Sequence, residues 1–394
     1  MNSLKKDFLK YQAKTTSYPL GLEIKKAKGS YITDVSGKKY LDFIAGVSAC
    51  SLGHCHPKIV SAIRKQIKKH MHVMVYGEFA QETSVALSKE LIALLPKNHE
   101  SIYLTNSGTE AIEGALKLAK RSTGRRQLIG AENSYHGSTH GALSMLGSEH
   151  QKIGYRPLLP DIRFIRFNNK EDLRHITSST AAVLLETIQG GAGFILPQNN
   201  YLQKVKEQCE KVGALLILDE IQSGFGRTGR FFGFEHFKIK PDIIVMGKGM
   251  GGGLPVGAFS ASQKLMSVFE DQPKLGHIST FGGNPVIAAA SLATLREIRD
   301  SNLMKQISEK ESLFKIELNH PKIKSIRGTG LMLALILEND KVVNQVILKC
   351  IDKGLLLFWL LWEKKAIRIS PPLTISEKEI KRGCSILRSV LDEV

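Results

Sequence analysis

The sequence predicts an α/β fold, with a large unit built on a mostly parallel sheet and a smaller α+β unit following it. Short β-branched runs alternate with helical segments through the middle of the chain, the order that lays helices against a parallel sheet. Several apolar runs end abruptly in polar or glycine-rich turns, as strands do where a ligand meets the carboxyl edge of such a sheet. The 394 residues also exceed the usual length of one domain.

In chain order, Gly29–Phe43 alternates apolar and polar residues about Ser36-Gly37 and reads as a β-hairpin. From Pro57 to about Leu95 the spacing predicts two helices, one carrying Ile59, Ile63 and Ile67, the other Val85, Leu87 and Leu91. Ser101–Leu104, Ala181–Leu185, Ala214–Leu218 and Ile243–Met246 read as strands, with helices over Glu110–Ala119 and Gln198–Cys209. From about Ala288 a long helical pattern leads to strands within Ile323–Leu337 and Gly354–Phe358, then a last helix from Glu377. The expected division is an N-terminal segment, 1–50, joining the small unit, a large unit, 51–287, and a small C-terminal unit, 288–394.

Hydrophobic residues make up 42% of the chain, enough to fold without staples and too many for disorder. The basic start lacks the apolar stretch of a signal peptide, and no run reaches the ~20 apolar residues of a membrane span, so a cytoplasmic protein is expected. Cys50, Cys55, Cys209, Cys350 and Cys384 are odd in number and lack CxxC spacing, which suits reduced thiols. His54-Cys55-His56 resembles a ligand cluster, but neighbours on an extended chain point to opposite faces, and no metal is expected. The formal charge of +18 is dispersed in pieces such as Lys65–Lys69 and Lys204–Lys211, spaced as solvated helix faces. Nucleic acid is therefore not the expected partner, whereas small anions would be drawn to the positive field.

Three constellations carry chemistry. Thr105-Asn106-Ser107-Gly108-Thr109-Glu110-Ala111 runs from strand to helix through small residues, so free amides at the helix start can hold an anion, although an ordinary cap by Ser107 or Thr109 reads equally well. The strand Leu215–Leu218 ends in Asp219-Glu220, followed by Gln222 and glycines; carboxylates buried there need something positive, such as a protonated pyridine nitrogen. Lys248 ends the strand Ile243–Met246 among glycines that admit close backbone approach. Desolvation there would lower the amine's pKa and make it a nucleophile toward carbonyl carbon. A snorkelling surface lysine is the plain alternative, and the glycines lack the GxGxxG spacing of a dinucleotide loop. A phosphate cradle, an acid for a ring nitrogen and an amine for an aldehyde together suit pyridoxal 5'-phosphate.

These motifs, in order with Gly53-His54-Cys55-His56-Pro57, His277–Pro285 and Ile367–Leu373, resemble the class III aminotransferases, which include ornithine, acetylornithine and 4-aminobutyrate enzymes. The resemblance covers nearly the whole chain and implies a pyridoxal-phosphate-dependent transferase of fold type I. It implies that Lys248 forms the Schiff base and moves the substrate proton, with Asp219 on the pyridine nitrogen and Gln222 on the phenolic oxygen. Ser107, Gly108 and Thr109 would lie at the phosphate, and Tyr135 would stack on the ring. Thr280 would reach the phosphate of a neighbouring subunit, implying a homodimer with shared active sites. The partners implied are a small-molecule amino donor and an oxo acid, commonly 2-oxoglutarate, used by a ping-pong scheme.

Two departures bear on the donor. The chain has Glu186-Thr187-Ile188-Gln189-Gly190-Gly191 where ornithine-type relatives carry Glu-Pro-Ile-Gln-Gly-Glu, so Arg368 is expected to stay open to a substrate carboxylate. Ser138 stands where acetylornithine and ornithine enzymes usually have an arginine. Val47, Tyr76 and Arg368 are the expected entrance residues. The expected function is transfer from an amino acid or ω-amino acid; the alternatives are an acetylornithine or ornithine aminotransferase specifically, or an aminomutase or racemase on the same fold.

Overall fold

The computed structural model describes residues 3–75 and 77–394, so Tyr76 lies outside the described residues. Its central sheet has the strand order Ser101–Thr105, Gly257–Ala261, Ile243–Gly247, Leu215–Asp219, Thr180–Glu186, Gln127–Ala131, Ile162–Ile165. The last five are parallel, and Gly257–Ala261 runs antiparallel to both its neighbours. Thr180–Glu186 and Ile243–Gly247 are buried along their whole length, which explains continuous apolar runs in place of alternation. Register sets Glu186 beside Asp219 and Asp219 beside Val245. Residues from distant segments thus meet at one carboxyl edge.

The helix Gly108–Thr123 follows its strand directly, buries Ala111, Ile112, Ala115 and Leu118 against the sheet, and ends at the left-handed Gly124. Helices Pro57–Ile67 and Glu82–Ile92 form where the spacing predicts them, but Ile67 and Val85 are exposed while Ile59, Leu87 and Leu91 are buried. Steps of four residues overshoot a 3.6-residue turn, so Ile67 drifts off the face of Ile59; Val85 and Leu87, two apart, lie on nearly opposite sides. The Ser36-Gly37 hairpin joins Tyr31–Asp34 to Lys39–Asp42, and Leu41 pairs in parallel with Leu355 near the other end of the chain. A third sheet, Ser325–Thr329, Met332–Ile336, Ala366–Ile369 and Phe358–Trp359, carries Arg368.

Between these sheets the chain makes a left-handed turn, with φ of 50, 60, 57 and 67° at Ala45, Gly46, Val47 and Ser48. Residues with side chains seldom hold this conformation without strong anchors. Asp42 supplies one: Oδ1 accepts from Ile44 N at 2.7 Å and Ala45 N at 3.0 Å, and Oδ2 lies 2.7 Å from His54 Nε2. This bond, with a second from Cys50, raises the His54 pKa from its ordinary 6.5 to about 10. A raised folded-state pKa gives stability that is full below about 6.5 and lost as pH climbs through about 10. His54→Gln is therefore expected to cost ~3–5 kcal/mol at neutral pH. Urea midpoints at pH 6, 8 and 10 check it: the gap between wild type and variant should be widest at pH 6, and a constant gap would refute the ion pair.

All five cysteines are free thiols. Among the described residues no helix is long and apolar enough to cross a membrane.

Candidate active site

A cavity of about 480 Å³ opens where the strands ending at Asp219 and Gly247 meet the start of the helix Gly108–Thr123. Lys248 lies in its wall with φ of 42°, a strained conformation of the kind kept at working sites. No hydrogen bond ties its amine to the described residues. Burial pushes this amine down to about 8; the nearby Arg368 guanidinium adds to the effect, and the Asp219 and Glu186 carboxylates oppose it.

Asp219 is 5% exposed; Oδ1 accepts from Ile221 N at 2.9 Å and Oδ2 lies 2.8 Å from His136 Nδ1. Its neighbour Glu220 points the other way, as successive residues of a strand do. There it accepts from Thr187 Oγ1, Ser223 Oγ and the amides of Gly233 and Phe234. The carboxylate pair read from the sequence is thus divided between a cavity acid and a buried structural one. Gln222 Nε2 is buried without a partner among the described residues.

At the helix start, a Cβ on Gly108 would stand 2.8 Å from Ile221 Cδ1, so a side chain there would have to push the Ile221 side chain aside. The amides of Gly108 and Thr109 make no bond within the described residues. Ser107 does not line the cavity: its Oγ accepts from Glu110 N at 3.3 Å and caps the helix. Tyr135 lines the cavity, with its hydroxyl 3.4 Å from Ser138 Oγ. Thr280 is exposed and outside the cavity of its own chain.

Arg368 is 5% exposed and stacks over Phe194, 5.5 Å from the ring centroid. Its Nε and Nη1 are buried without partners among the described residues. Glu186 is the acid felt most by it, yet Glu186 Oε1 accepts from Tyr135 N at 2.9 Å and Oε2 from Gly190 N at 2.8 Å. Burial raises the Glu186 pKa to about 7. Sequence reasoning passed over the roles of Glu186 and His136. Glu186 ends an apolar strand just as Asp219 does, a signal that could have found it; nothing in the spacing joins His136 to Asp219.

The sequence profile of the family described as aminotransferase class-III matches residues 11–391. The chain belongs to the class III aminotransferases. It is 36% identical over 391 residues to the acetylornithine aminotransferase of Caldanaerobacter subterraneus subsp. tengcongensis, covering 96% of each chain. It is 38% identical over 377 residues to that of Listeria monocytogenes serovar 1/2a, covering 94% of this chain and 95% of the relative. The ornithine aminotransferase of Toxoplasma gondii ME49 superposes with a TM-score of 0.90 at 29% identity, over 99% of this chain and 95% of that one. As a class III aminotransferase this protein is a ping-pong transaminase of the pyridoxal-phosphate-dependent α/β fold, moving an amino group from a donor to an oxo acid. Its cofactor is pyridoxal 5'-phosphate. The residues fit that group: a partnerless amine, a carboxylate fixed by two neighbours, an orphaned amide nitrogen on Gln222 and unbonded amides at a helix start surround one cavity.

Proposed function

We propose that this enzyme acts on an amino acid or ω-amino acid whose carboxylate is seated on Arg368, and that the oxo acid is bound in the same way. The observation that carries this is a buried guanidinium with two nitrogens unpartnered among the described residues, in the cavity that holds Lys248. A buried cation left unpaired is costly, and a carboxylate would meet it as a bidentate fork.

Pyridoxal phosphate supplies an aldehyde for amines and a ring that withdraws electrons. Gly108 and Thr109 would hold its phosphate by their amides, with Ser107 shaping the helix start. Asp219 would pair with the ring nitrogen, Gln222 would reach the phenolic oxygen and Tyr135 would stack on the ring. Lys248 Nζ would bind the cofactor, then take and return the substrate proton; an amine near neutrality suits both directions. Thr280 would serve the neighbouring subunit of a homodimer with shared sites, and its exposed place outside its own cavity supports that. A reducing cytoplasm would suit the five free thiols.

Two residues support a broader donor range than the relatives' printed activity: Gly191 and Ser138 bring no charge to the cavity that Arg368 lines. The second reading, an acetylornithine aminotransferase, is supported by the relatives' names at 36–38% identity. Arg368→Leu is expected to weaken every carboxylate donor by roughly 30- to 1000-fold in KM. The check is donor-dependent bleaching of the bound cofactor's yellow absorption by glutamate, ornithine, acetylornithine and 4-aminobutyrate. Unchanged affinity would overturn the Arg368 reading, and turnover of acetylornithine far above the rest would favour the second.

A further inference from the structure

The helix Gly108–Thr123 also holds the segment that follows Tyr135. Thr109 and Glu113 stand one turn apart on this helix, so their side chains share a face. A Cβ on Gly137, where φ is 132°, would stand 2.2 Å from Thr109 Oγ1, and one on Gly141 would stand 2.1 Å from Glu113 Oε2. Two glycines four residues apart thus seat the segment against two side chains four residues apart. Glu113 Oε1 accepts from Thr139 Oγ1 at 2.5 Å, Gly141 N at 2.8 Å and Ala142 N at 3.0 Å. At the near end of the segment, Tyr135 and Gly137 line the cavity together with Thr109.

The protons in this chain of hydroxyls have one arrangement. A hydroxyl carries a single proton, and a carboxylate only accepts. Thr139 therefore spends its proton on Glu113. The hydroxyl oxygens of Thr109 and Thr139 are 2.7 Å apart, so Thr109 is the donor between them. Thr109 Oγ1 in turn accepts from Thr139 N at 3.4 Å. Toward the cavity Thr109 offers its amide, while its hydroxyl proton points away.

We propose that Glu113 is a positioning residue for the cofactor, acting through Thr139 and the amides of Gly141 and Ala142. It docks the segment that presents Tyr135, and it keeps the Thr109 proton from the anion, so that backbone amides hold the phosphate. Amides at a helix start are fixed by the helix, whereas a hydroxyl rotates. Turning this rotor outward leaves the anion's place to rigid groups. The inference rests on the phosphate lying at the start of the helix Gly108–Thr123.

The full chain, stripped of cofactor, tests both halves. Inorganic phosphate, read as a competitor of pyridoxal phosphate, reports the helix start, and pyridoxal, which lacks the phosphate, reports the ring's side. Thr139→Val removes the acceptor of the Thr109 proton, which can then turn to the anion. Inorganic phosphate should bind ~3- to 10-fold more tightly to this variant, and adding Thr109→Val should abolish the gain. A phosphate constant left unmoved or weakened by Thr139→Val overturns the proton assignment. Glu113→Ala orphans three donors; it should weaken pyridoxal ~10- to 100-fold and change the visible circular dichroism of the bound cofactor, which reports how Tyr135 meets the ring. Glu113→Gln still offers an oxygen and should stay within about threefold of the parent. A lowered thermal midpoint with unchanged affinity and dichroism would make Glu113 a structural residue only and overturn the docking. If Glu113→Ala does not fold, Glu113→Asp, which draws the acceptor back by one methylene, decides by the same two readouts. Inorganic phosphate that does not compete in the parent would sink the reading of the helix start and the Thr109 half with it, while pyridoxal and the dichroism still decide the docking of Tyr135.

Discussion

Lys248→Ala is expected to lower turnover by at least ~10⁴-fold while leaving the protein folded. Among the described residues no other amine lines the cavity, and the acids that face it, Asp219 and Glu186, are already hydrogen-bonded by protein groups. No neighbour can therefore take over both cofactor attachment and proton transfer at one atom. The fold should survive because the lysine makes no hydrogen bond to the described residues and its burial is itself unfavourable, as the depression of its pKa to about 8 indicates. Removing it should leave the thermal midpoint unchanged or slightly raised, the usual consequence of relieving a strained working site. Small exogenous amines should restore part of the rate. Bleaching by donor in a single turnover, with thermal unfolding alongside, checks both halves; a variant retaining about 1% of turnover would mean that another group carries the proton.

The convergence of Asp219 and Lys248 on one cavity was legible because strand ends in a parallel sheet converge, so apolar runs closing in these two residues had to open on one edge. Gly108 was legible for the same reason, as the turn into a helix beside those strands. Ser107 could not be divided between cap and ligand from sequence, since a serine before a helix satisfies either role. The strands Gln127–Ala131, Ile162–Ile165 and Gly257–Ala261 escaped notice: each is short, and the last is mostly small residues with little β-propensity, held in place by neighbours on both sides. The helix Asp340–Asp352 and the strand Ala366–Ile369 were likewise visible only once the third sheet was assembled. Arg368 was read as uncovered from the glycine at 191, and the structure adds the reason that a glycine stands there. Trp362 and Gly191 are 171 positions apart, and only the folded chain reveals that a Cβ at 191 would stand 2.9 Å from Trp362 Nε1.

Asp219→Asn should reduce turnover about 10³-fold with little loss of stability, whereas Glu220→Gln next to it should do the reverse. Asparagine keeps the shape and can still accept from Ile221 N, so the local turn survives. It brings no negative charge, and a ring nitrogen facing it would no longer be held protonated, so the electron-withdrawing power on which proton removal depends falls. Weaker retention of cofactor through gel filtration should accompany the loss. Glu220 receives four hydrogen bonds from Thr187, Ser223, Gly233 and Phe234, and burial already lifts its pKa to about 7. An amide nitrogen placed among those donors has nothing to donate to, so Glu220→Gln should cost ~1–3 kcal/mol of stability. Turnover per folded Glu220→Gln enzyme should stay near that of the parent. Equal kinetic damage from both substitutions would show that the acids act as a unit and would overturn their division between cavity and core.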